Sequence, residues 1–305
     1  MMPSKNIKKE RDGTGSSPHN NQRGKPTADS VGLRTISGVF LIGILLSSLY
    51  FGSPYAEILM LVIAAILSKE WCRLVGLNSL IAAVVFGTII VGAMLACVYS
   101  GYWAQISLVI VVLAVTAYFF GISMERQSLR WLAIGLPYIY FPIMSILWVL
   151  YSMDAGDVVV ISMFALIATN DTCAYFSGKT FQGPKLAPSI SPGKTWSGVA
   201  GGLIGVCLLG FTVAYYLDLA PLLMAALACC VGVLANLGDL FESGIKRHFG
   251  VKDTGTIIPG HGGVLDRLDS VMMTAPIVML LLWMSSAGVL GAQAQEAIAF
   301  LGKIH

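Results

Sequence analysis

The part of this sequence best equipped for chemistry is the polar segment 242–269. Its cations Lys246, Arg247 and Lys252 can neutralise phosphate oxygens, and the Pro-Gly-His-Gly-Gly run around His261 lets backbone amides approach an anion closely. The segment therefore predicts a binding site for a phosphate-bearing polyanion. A basic loop that attracts anionic lipids is the alternative, although such a loop needs neither the glycines nor the aspartates that this one contains.

Carboxylates accompany these cations. Asp266 and Asp269 are three residues apart, so a helix would present both on one face. Asp171 and Asp239 lie in apolar stretches, where an ionised carboxylate costs roughly 2.5–3.5 kcal/mol and normally faces a polar cavity, a cation or a partner. Snorkelling to water or capping a helix is the alternative for these two. Carboxylates that face a polyanion imply a metal, and Mg²⁺ is commonly held by one or two of them together with substrate phosphates.

A second polar segment, residues 179–197, also mixes lysine, hydroxyl, glycine and proline residues. Its Gly193-Lys194-Thr195 is similar to the end of a phosphate-binding P-loop. The first glycine of that motif would fall on Pro188, however, and no strand precedes it, so the segment is not a P-loop.

Four closely spaced glycines follow this segment and form two overlapping small-xxx-small patterns. Such patterns predict close packing between helices, and they leave a helix-packed homodimer open. The glycines are Gly198, Gly201, Gly202 and Gly205.

The elements that must position all these residues are membrane-spanning helices. Of 305 residues, 56% are hydrophobic and 11% charged, and the mean hydropathy is +0.78. A soluble domain carries roughly 25% charged residues, so a water-soluble globule is excluded. The apolar stretches are long enough to cross about 30 Å of hydrocarbon, which predicts an all-α, polytopic integral membrane helix bundle of about nine transmembrane helices. The predicted spans are residues 35–52, 55–75, 79–99, 103–122, 130–152, 157–178, 198–217, 221–241 and 270–291.

The basic residues support this count. With the N-terminus in the cytoplasm, nine spans place 18 of the 19 Lys and Arg residues on one side of the membrane, with only Lys303 opposite. Both polar segments fall on the cytoplasmic side. We therefore expect a site that faces the cytoplasm, and the lack of an organelle-targeting presequence favours the bacterial cytoplasmic (inner) membrane.

These patterns divide the chain into four parts. They are a disordered basic cytoplasmic tail (1–32), N-terminal transmembrane helices (33–165), a catalytic transmembrane region (166–292) that contains the cytoplasmic polar segments 179–197 and 242–269, and a short C-terminal tail (293–305).

The motifs in the catalytic region resemble those of the phosphatidate cytidylyltransferase (CDP-diacylglycerol synthase) family, over about residues 165–270. The resemblance to the family signature lies in Ser243-x-x-Lys246-Arg247, Lys252-Asp253 and Pro259-Gly-His261-Gly-Gly-x-x-Asp266-Arg267-x-Asp269. Further motifs that resemble the family are Asp171-x-x-Ala174-Tyr175, Gly178, Ser191-Pro-x-Lys194-Thr195-Trp196 and Asn236-x-Gly238-Asp239-Leu-x-Glu242-Ser243. One departure is Ser197, which stands where the family pattern has Glu. Either this position is not a metal ligand, or the affinity for metal or nucleotide differs here.

The resemblance implies a metal-dependent nucleotidyltransferase of phospholipid biosynthesis. It would transfer the cytidylyl group of CTP to phosphatidic acid in the bilayer and release CDP-diacylglycerol and pyrophosphate, with Mg²⁺ as cofactor, a second cation left open, and no nucleic acid as partner. Because the nucleophile is already a phosphate anion, the protein's task is to bring two polyanions together and stabilise the charge that develops.

The resemblance and this chemistry together imply roles for individual residues. Asp239 and Asp266 would form the metal pair, with Asp171 and Asp269 as further ligands or supports. His261 either contacts phosphate or is structural. Ser243 either binds metal or phosphate, or caps a helix. The catalytic set is Asp239, Asp266, Lys246, Arg247, Lys252 and His261. The substrate-binding set is Ser243, Arg267, Lys194, Ser191, Asp253, Gly262 and Gly263.

Two other functions stay open at this point. One is a cytidylyltransferase that acts on a different lipid phosphate. The other is an ion-coupled multi-pass transporter, which would place its carboxylates at mid-membrane in broken helices. The gathering of polar residues on one side of the membrane argues against the transporter.

Overall fold

The computed structural model describes residues 28–255, 257–258 and 262–286. Within these ranges the chain forms nine α-helices and one antiparallel hairpin. The helices are α1 (Ala28–Phe51), α2 (Tyr55–Leu74), α3 (Leu80–Ser100), α4 (Trp103–Ser123), α5 (Gln127–Ser152), α6 (Gly156–Phe181), α7 (Trp196–Tyr216), α8 (Pro221–His248) and α9 (Leu265–Ser286). The strands are β1 (Lys185–Ala187) and β2 (Ser191–Thr195), and they pair between α6 and α7.

Each predicted span coincides with one of these helices, which confirms the all-α membrane architecture. Seven of the described helices are long and apolar enough to cross a membrane, and the chain is an integral membrane protein. In α1 the apolar stretch is shorter, Ile36–Phe51. The remaining helix, α2, carries the charged residues Glu57, Lys69, Glu70 and Arg73.

The main differences from the predicted bounds lie at the polar segments. Three helices continue beyond their predicted spans, since α6 ends at Phe181, α8 ends at His248 and α9 begins at Leu265. Outside hydrocarbon a helix can continue with polar side chains, because these find partners in water or in neighbouring protein groups. Several residues predicted to lie in loops, among them Lys246, Arg247 and Asp266, therefore stand on rigid helix ends.

The predicted tails fall largely outside the described residues. α1 begins at Ala28, within the predicted tail 1–32, and residues 1–27 are not described. The predicted tail 293–305 and the end of the last predicted span lie beyond Ser286, where the description stops.

Helix α5 forms the centre of the bundle. It packs against α2, α3, α4, α6 and α9, and Ile139 and Tyr140 on it have no exposed surface. Trp71 of α2 is equally buried, and its indole nitrogen donates to the backbone carbonyl of Trp131 at 3.0 Å. A methyl group on Gly135 would collide with the Trp71 ring, so the glycine lets α2 and α5 approach closely.

Helices α6, α7, α8 and α9 carry the polar residues and pack in sequence order, each against the next. The glycine pattern on α7 faces α6, as the close-packing prediction requires. A Cβ on Gly202 would lie 2.9 Å from the Asn170 carbonyl, and one on Gly201 or Gly205 would overlap the side chain of Ser177 or Cys173. These glycines are therefore occupied by packing within the chain.

Candidate active site

The polar residues predicted to form the site gather at one end of the unit that α6, α7, α8 and α9 form. The C-terminal ends of α6 and α8, the hairpin, and the N-terminal ends of α7 and α9 all meet there. A cavity of about 770 Å³ opens between α6, α7, α8 and the hairpin. Its polar lining includes Asp171, Lys179, Gln182, Lys185, Lys194 and Asp239.

The hairpin brings Lys194 to this cavity. Lys185 on β1 pairs with Thr195 on β2, and the Thr195 hydroxyl then caps α7 by accepting from the Gly198 amide at 3.1 Å. Ser197 is held in the same turn, because its hydroxyl accepts from the Gly183 amide at 3.1 Å and lies 3.1 Å from the Thr195 hydroxyl. The residue that departs from the family pattern thus closes the base of the hairpin.

One set of contacts, which we call the Asp239 cluster, faces the cavity; it comprises Asp171, Lys194, Asn236, Asp239 and Ser243. Lys194 Nζ lies 2.6 Å from Asp239 Oδ2 and donates to the Asn236 carbonyl at 3.4 Å. Ser243 donates to Asp239 Oδ1 at 3.2 Å. The side chains of Lys194 and Asp239 keep 21% and 34% of their surface exposed, so this ion pair is open to the cavity.

Buried amides support the cluster from below. Asn170 is fully buried on α6 and donates to Asp171 Oδ1 at 3.3 Å. Its own oxygen accepts from Asn236 Nδ2 at 3.1 Å, which links α6 to α8 next to Asp171. A hydrogen-bonded amide pair of this kind fixes the positions of Asp171 and Asp239 relative to each other.

A second set of contacts, the Asp266 cluster, consists of Glu70, Glu242, Lys246, Asp266 and the loop before α9. Lys246 Nζ lies 2.9 Å from Asp266 Oδ1 and 3.3 Å from Glu242 Oε1. Asp266 Oδ2 accepts from the amides of Thr254 at 2.9 Å and Gly263 at 2.8 Å. The side chains of Lys246, Asp266 and Glu242 are 12%, 5% and 0% exposed, so this cluster is closed.

Within the Asp266 cluster, Glu242 is the fully buried carboxyl group. Neither of its carboxyl oxygens has a hydrogen bond of acceptable geometry, although Lys246 is close and the Asp269 carboxyl interacts with it. Asp269 also interacts electrostatically with Asp239. Asp269 therefore stands where the two clusters adjoin.

The remaining predicted site residues surround these clusters. Arg247 joins the two polar segments, because it donates to the carbonyls of Ile190 in the hairpin and Val251 in the next loop, each at 3.2 Å. Lys252, Asp253 and Arg267 are exposed. Ser191 begins β2 opposite Ala187. His261 lies outside the described residues, and its role stays a prediction.

Gly262 and Gly263 are used at the turn before α9. Gly262 has a φ of +85°, a conformation that favours glycine, and its carbonyl accepts from the Ile258 amide at 3.0 Å. Gly263 directs its amide to Asp266. Both glycines therefore shape the loop that carries Asp266, and their predicted contact with substrate stays a prediction.

Sequence reasoning missed Glu70. This residue is 2% exposed on α2, and its carboxylate accepts from the Val264 and Leu265 amides. A signal was available, since Glu70 lies on the same helix face as the buried Leu67 and Leu74, where a charged group needs a partner.

Comparisons with known proteins identify the family of this chain. The profile of the cytidylyltransferase family matches residues 32–285. Phosphatidate cytidylyltransferase of Rickettsia typhi is 41% identical over 164 residues, which cover 51% of this chain and 71% of the relative. Its namesake in Rickettsia felis is 40% identical over 167 residues (52% and 73%), and that of Brucella suis is 38% identical over 161 residues (52% and 59%). The chain therefore belongs to the cytidylyltransferase family.

Proposed function

We propose that this protein transfers the cytidylyl group of CTP to phosphatidate and forms CDP-diacylglycerol and pyrophosphate. The observation that carries the proposal is the cavity beside Asp239 and Lys194, which lies at the end of a membrane bundle whose sequence matches a cytidylyltransferase family. The relatives described above bear the name phosphatidate cytidylyltransferase. The same cavity supports CTP and a lipid phosphate as the two substrates.

The cavity has the size and charge that this reaction needs. Its volume of about 770 Å³ lies within the roughly 300–1,000 Å³ of small-molecule sites. Lys179, Lys185 and Lys194 line it and can neutralise the triphosphate and the lipid phosphate, which otherwise repel each other. Bringing two polyanions into one orientation is the part of the reaction that a protein can most accelerate.

The reaction itself is a substitution at phosphorus. An oxygen of the phosphatidate phosphate forms a bond to the α-phosphorus of CTP, and the bond from that phosphorus to the bridging oxygen of pyrophosphate breaks. No proton has to be removed from the nucleophile, so the residues act by orienting and by stabilising charge. Because the ion pair between Lys194 and Asp239 is open to the cavity, Lys194 can release Asp239 and bind a phosphate oxygen instead.

An apolar cavity supports the lipid as acceptor. It has a volume of about 280 Å³ and lies between the halves of α6, α7, α8 and α9 that are remote from the polar cavity. Met163, Val213, Leu227 and Leu281 are among its lining residues. An acyl chain fits this environment, because such a chain carries no polar group that needs a partner.

The donor atoms fit Mg²⁺. Asp171 and Asp239 line the same cavity, and both present carboxylate oxygens to it. Hard carboxylate oxygens are the ligands that Mg²⁺ prefers. Among the described residues, no three acidic, histidine or cysteine side chains already form a metal-binding group. We propose Asp239 and Asp266 as the metal pair, with Asp171 and Asp269 in support; Asp266 would have to exchange Lys246 for the metal. A bound Mg²⁺ would neutralise phosphate charge, and the proposal extends to a second cation.

The site is proposed to face the cytoplasm of a bacterium from the inner membrane, since CTP is cytosolic and the basic residues favour that side. If the protein forms a homodimer, the contact uses a face other than the glycines of α7, because these pack against α6.

The test measures transfer of label from [α-³²P]CTP into chloroform-soluble lipid by the purified protein in detergent with phosphatidate and Mg²⁺. Two matched variants accompany the wild type. Asp239→Asn removes the charge that faces the cavity, and Asp157→Asn makes the same change near the start of α6, at its remote end. We expect Asp239→Asn to lose at least about 10³-fold in kcat/KM, with Asp157→Asn near wild type.

Other outcomes would redirect the proposal. Labelled lipid that forms only with a different lipid phosphate would replace phosphatidate as acceptor. Full activity in the presence of a chelator would overturn the metal. Activity of Asp239→Asn within tenfold of wild type would remove this residue from the site.

A further inference from the structure

Glu70 connects the N-terminal helices to the loop that precedes α9. It lies on α2, separated by 194 residues from the loop amide that its first oxygen accepts. Its Oε1 accepts from the Val264 amide at 2.9 Å, and its Oε2 accepts from the Leu265 amide at 2.8 Å. Both carboxyl oxygens are therefore committed to backbone donors of a single turn.

The loop is built to admit this carboxylate. A Cβ on Gly255 would lie 2.6 Å from Glu70 Oε1, and a Cβ on Gly263 would lie 2.8 Å from both Glu70 oxygens. Real side chains do not tolerate such distances, so glycine at these two positions makes the room that Glu70 occupies. The fit is specific on both sides of the contact.

The two amides that donate hydrogen bonds to Glu70 lie at the start of α9. The first amides of a helix have no partner within it, and a negative charge at that end is favoured by the helix dipole. The next residue, Asp266, accepts from the amide of Gly263. Glu70 and Asp266 thus hold adjacent peptide groups of one turn from two sides, and Lys246 in turn holds Asp266.

We propose that Glu70 is a positioning residue, which fixes the turn before α9 and thereby sets where Asp266 and Arg267 enter the active site. Through it, α2 supports the chemistry although it lines no part of the polar cavity. The kinetic test of this inference rests on the proposed function; its structural test does not.

The experiment compares Glu70→Gln with Glu57→Gln. Glu57 is a matched control, because it lies on the same helix and also accepts a hydrogen bond from another helix. The donor is the hydroxyl of Tyr151 on α5. The amide at position 70 keeps one acceptor and turns an NH₂ group against the second backbone N–H. For both variants we would measure hydrogen–deuterium exchange of peptides that cover 250–270, the thermal midpoint in detergent, and kcat and KM for CTP well below that midpoint.

We expect exchange at Val264 and Leu265 to accelerate about tenfold in Glu70→Gln and to stay unchanged in Glu57→Gln. We expect kcat per folded enzyme to fall about ten- to a hundredfold in Glu70→Gln, since a shift of about 1 Å at a reacting group can cost that much. A residue that only stabilises the fold would lower the midpoint and leave kcat at low temperature intact. That result, or exchange no faster than in the control, would overturn the proposal.

Gly255→Ala provides a second approach from the loop side if Glu70→Gln does not fold. Its added methyl group presses on the same carboxylate without changing any charge, and the same local acceleration of exchange is expected. If the wild type shows no cytidylyl transfer at all, the proposed function fails, and the exchange of the two amides alone decides the role of Glu70.

Discussion

The Asp239 cluster and the Asp266 cluster use the same chemical pair in opposite ways. In each, a lysine contacts an aspartate, at 2.6 Å for Lys194–Asp239 and at 2.9 Å for Lys246–Asp266. The aspartate of the first pair is 34% exposed, whereas that of the second is 5% exposed and also accepts two backbone amides. The open pair can exchange its partner for a ligand, whereas a ligand at the closed pair would first have to displace Lys246 from Asp266.

This difference separates two kinds of contribution to one site. An exposed ion pair contributes about 0–1 kcal/mol to stability. The Lys194–Asp239 pair can therefore break when a ligand binds, with little loss of fold stability. Breaking a buried pair costs about 3–5 kcal/mol, so the Asp266 cluster holds the loop before α9 in place. The two clusters use the same residue types, yet the structure places one pair at the polar cavity and the other beside the loop before α9.

The largest expected effect on stability in this comparison belongs to Asp266→Asn. Oδ2 accepts from the amides of Thr254 and Gly263, and Oδ1 accepts from Lys246, so an NH₂ group at either position faces a donor. We expect a loss of about 2–4 kcal/mol in the free energy of unfolding together with at least a hundredfold loss of kcat/KM. Unfolding in mixed detergent micelles and labelled-CTP transfer would measure the two.

Asp239→Asn is the reference for this variant, since it should lose activity with less than about 1 kcal/mol of stability. If both variants changed stability by the same amount, the distinction between the open and the closed cluster would be wrong.

The lysines provide the next test. Lys246→Gln leaves Glu242 and Asp266 without their cation in a closed environment, and we expect it to lower the free energy of unfolding by about 3 kcal/mol. Lys194→Gln should change it by less than about 1 kcal/mol and instead raise KM for CTP about ten- to a hundredfold, because a hydrogen bond from a charged group contributes about 1.5–3 kcal/mol. Equal KM values for Lys194→Gln and wild type would show that Lys194 does not meet the nucleotide.

The sequence allowed the prediction of the spans and of the polar end of the bundle, because both follow from composition along the chain. That Asp171 and Asp239 face a polar cavity followed from the cost of a carboxylate in an apolar stretch. Which partner each residue takes did not follow. Lys194 reaches Asp239 only because a hairpin of low strand propensity turns back onto α8, and Glu70 reaches Val264 only because α2 lies beside the start of α9. Such pairings depend on the packing of distant helices.

The smallest expected effect concerns Ser197, the position where the family pattern has a carboxylate. Its hydroxyl accepts from the Gly183 amide and adjoins Thr195, so it closes the hairpin that carries Lys194. Ser197→Ala removes two partly buried hydrogen bonds, and we expect a loss of about 0.5–1.5 kcal/mol in stability for each and less than a threefold change in kcat/KM. Ser197→Glu in parallel adds the missing carboxylate; a fall of tenfold or more in the Mg²⁺ concentration needed for half-maximal activity would place this position at the metal. An unchanged Mg²⁺ requirement, with a weaker hairpin in both variants, would instead assign Ser197 to the support of Lys194, on the open side of the comparison.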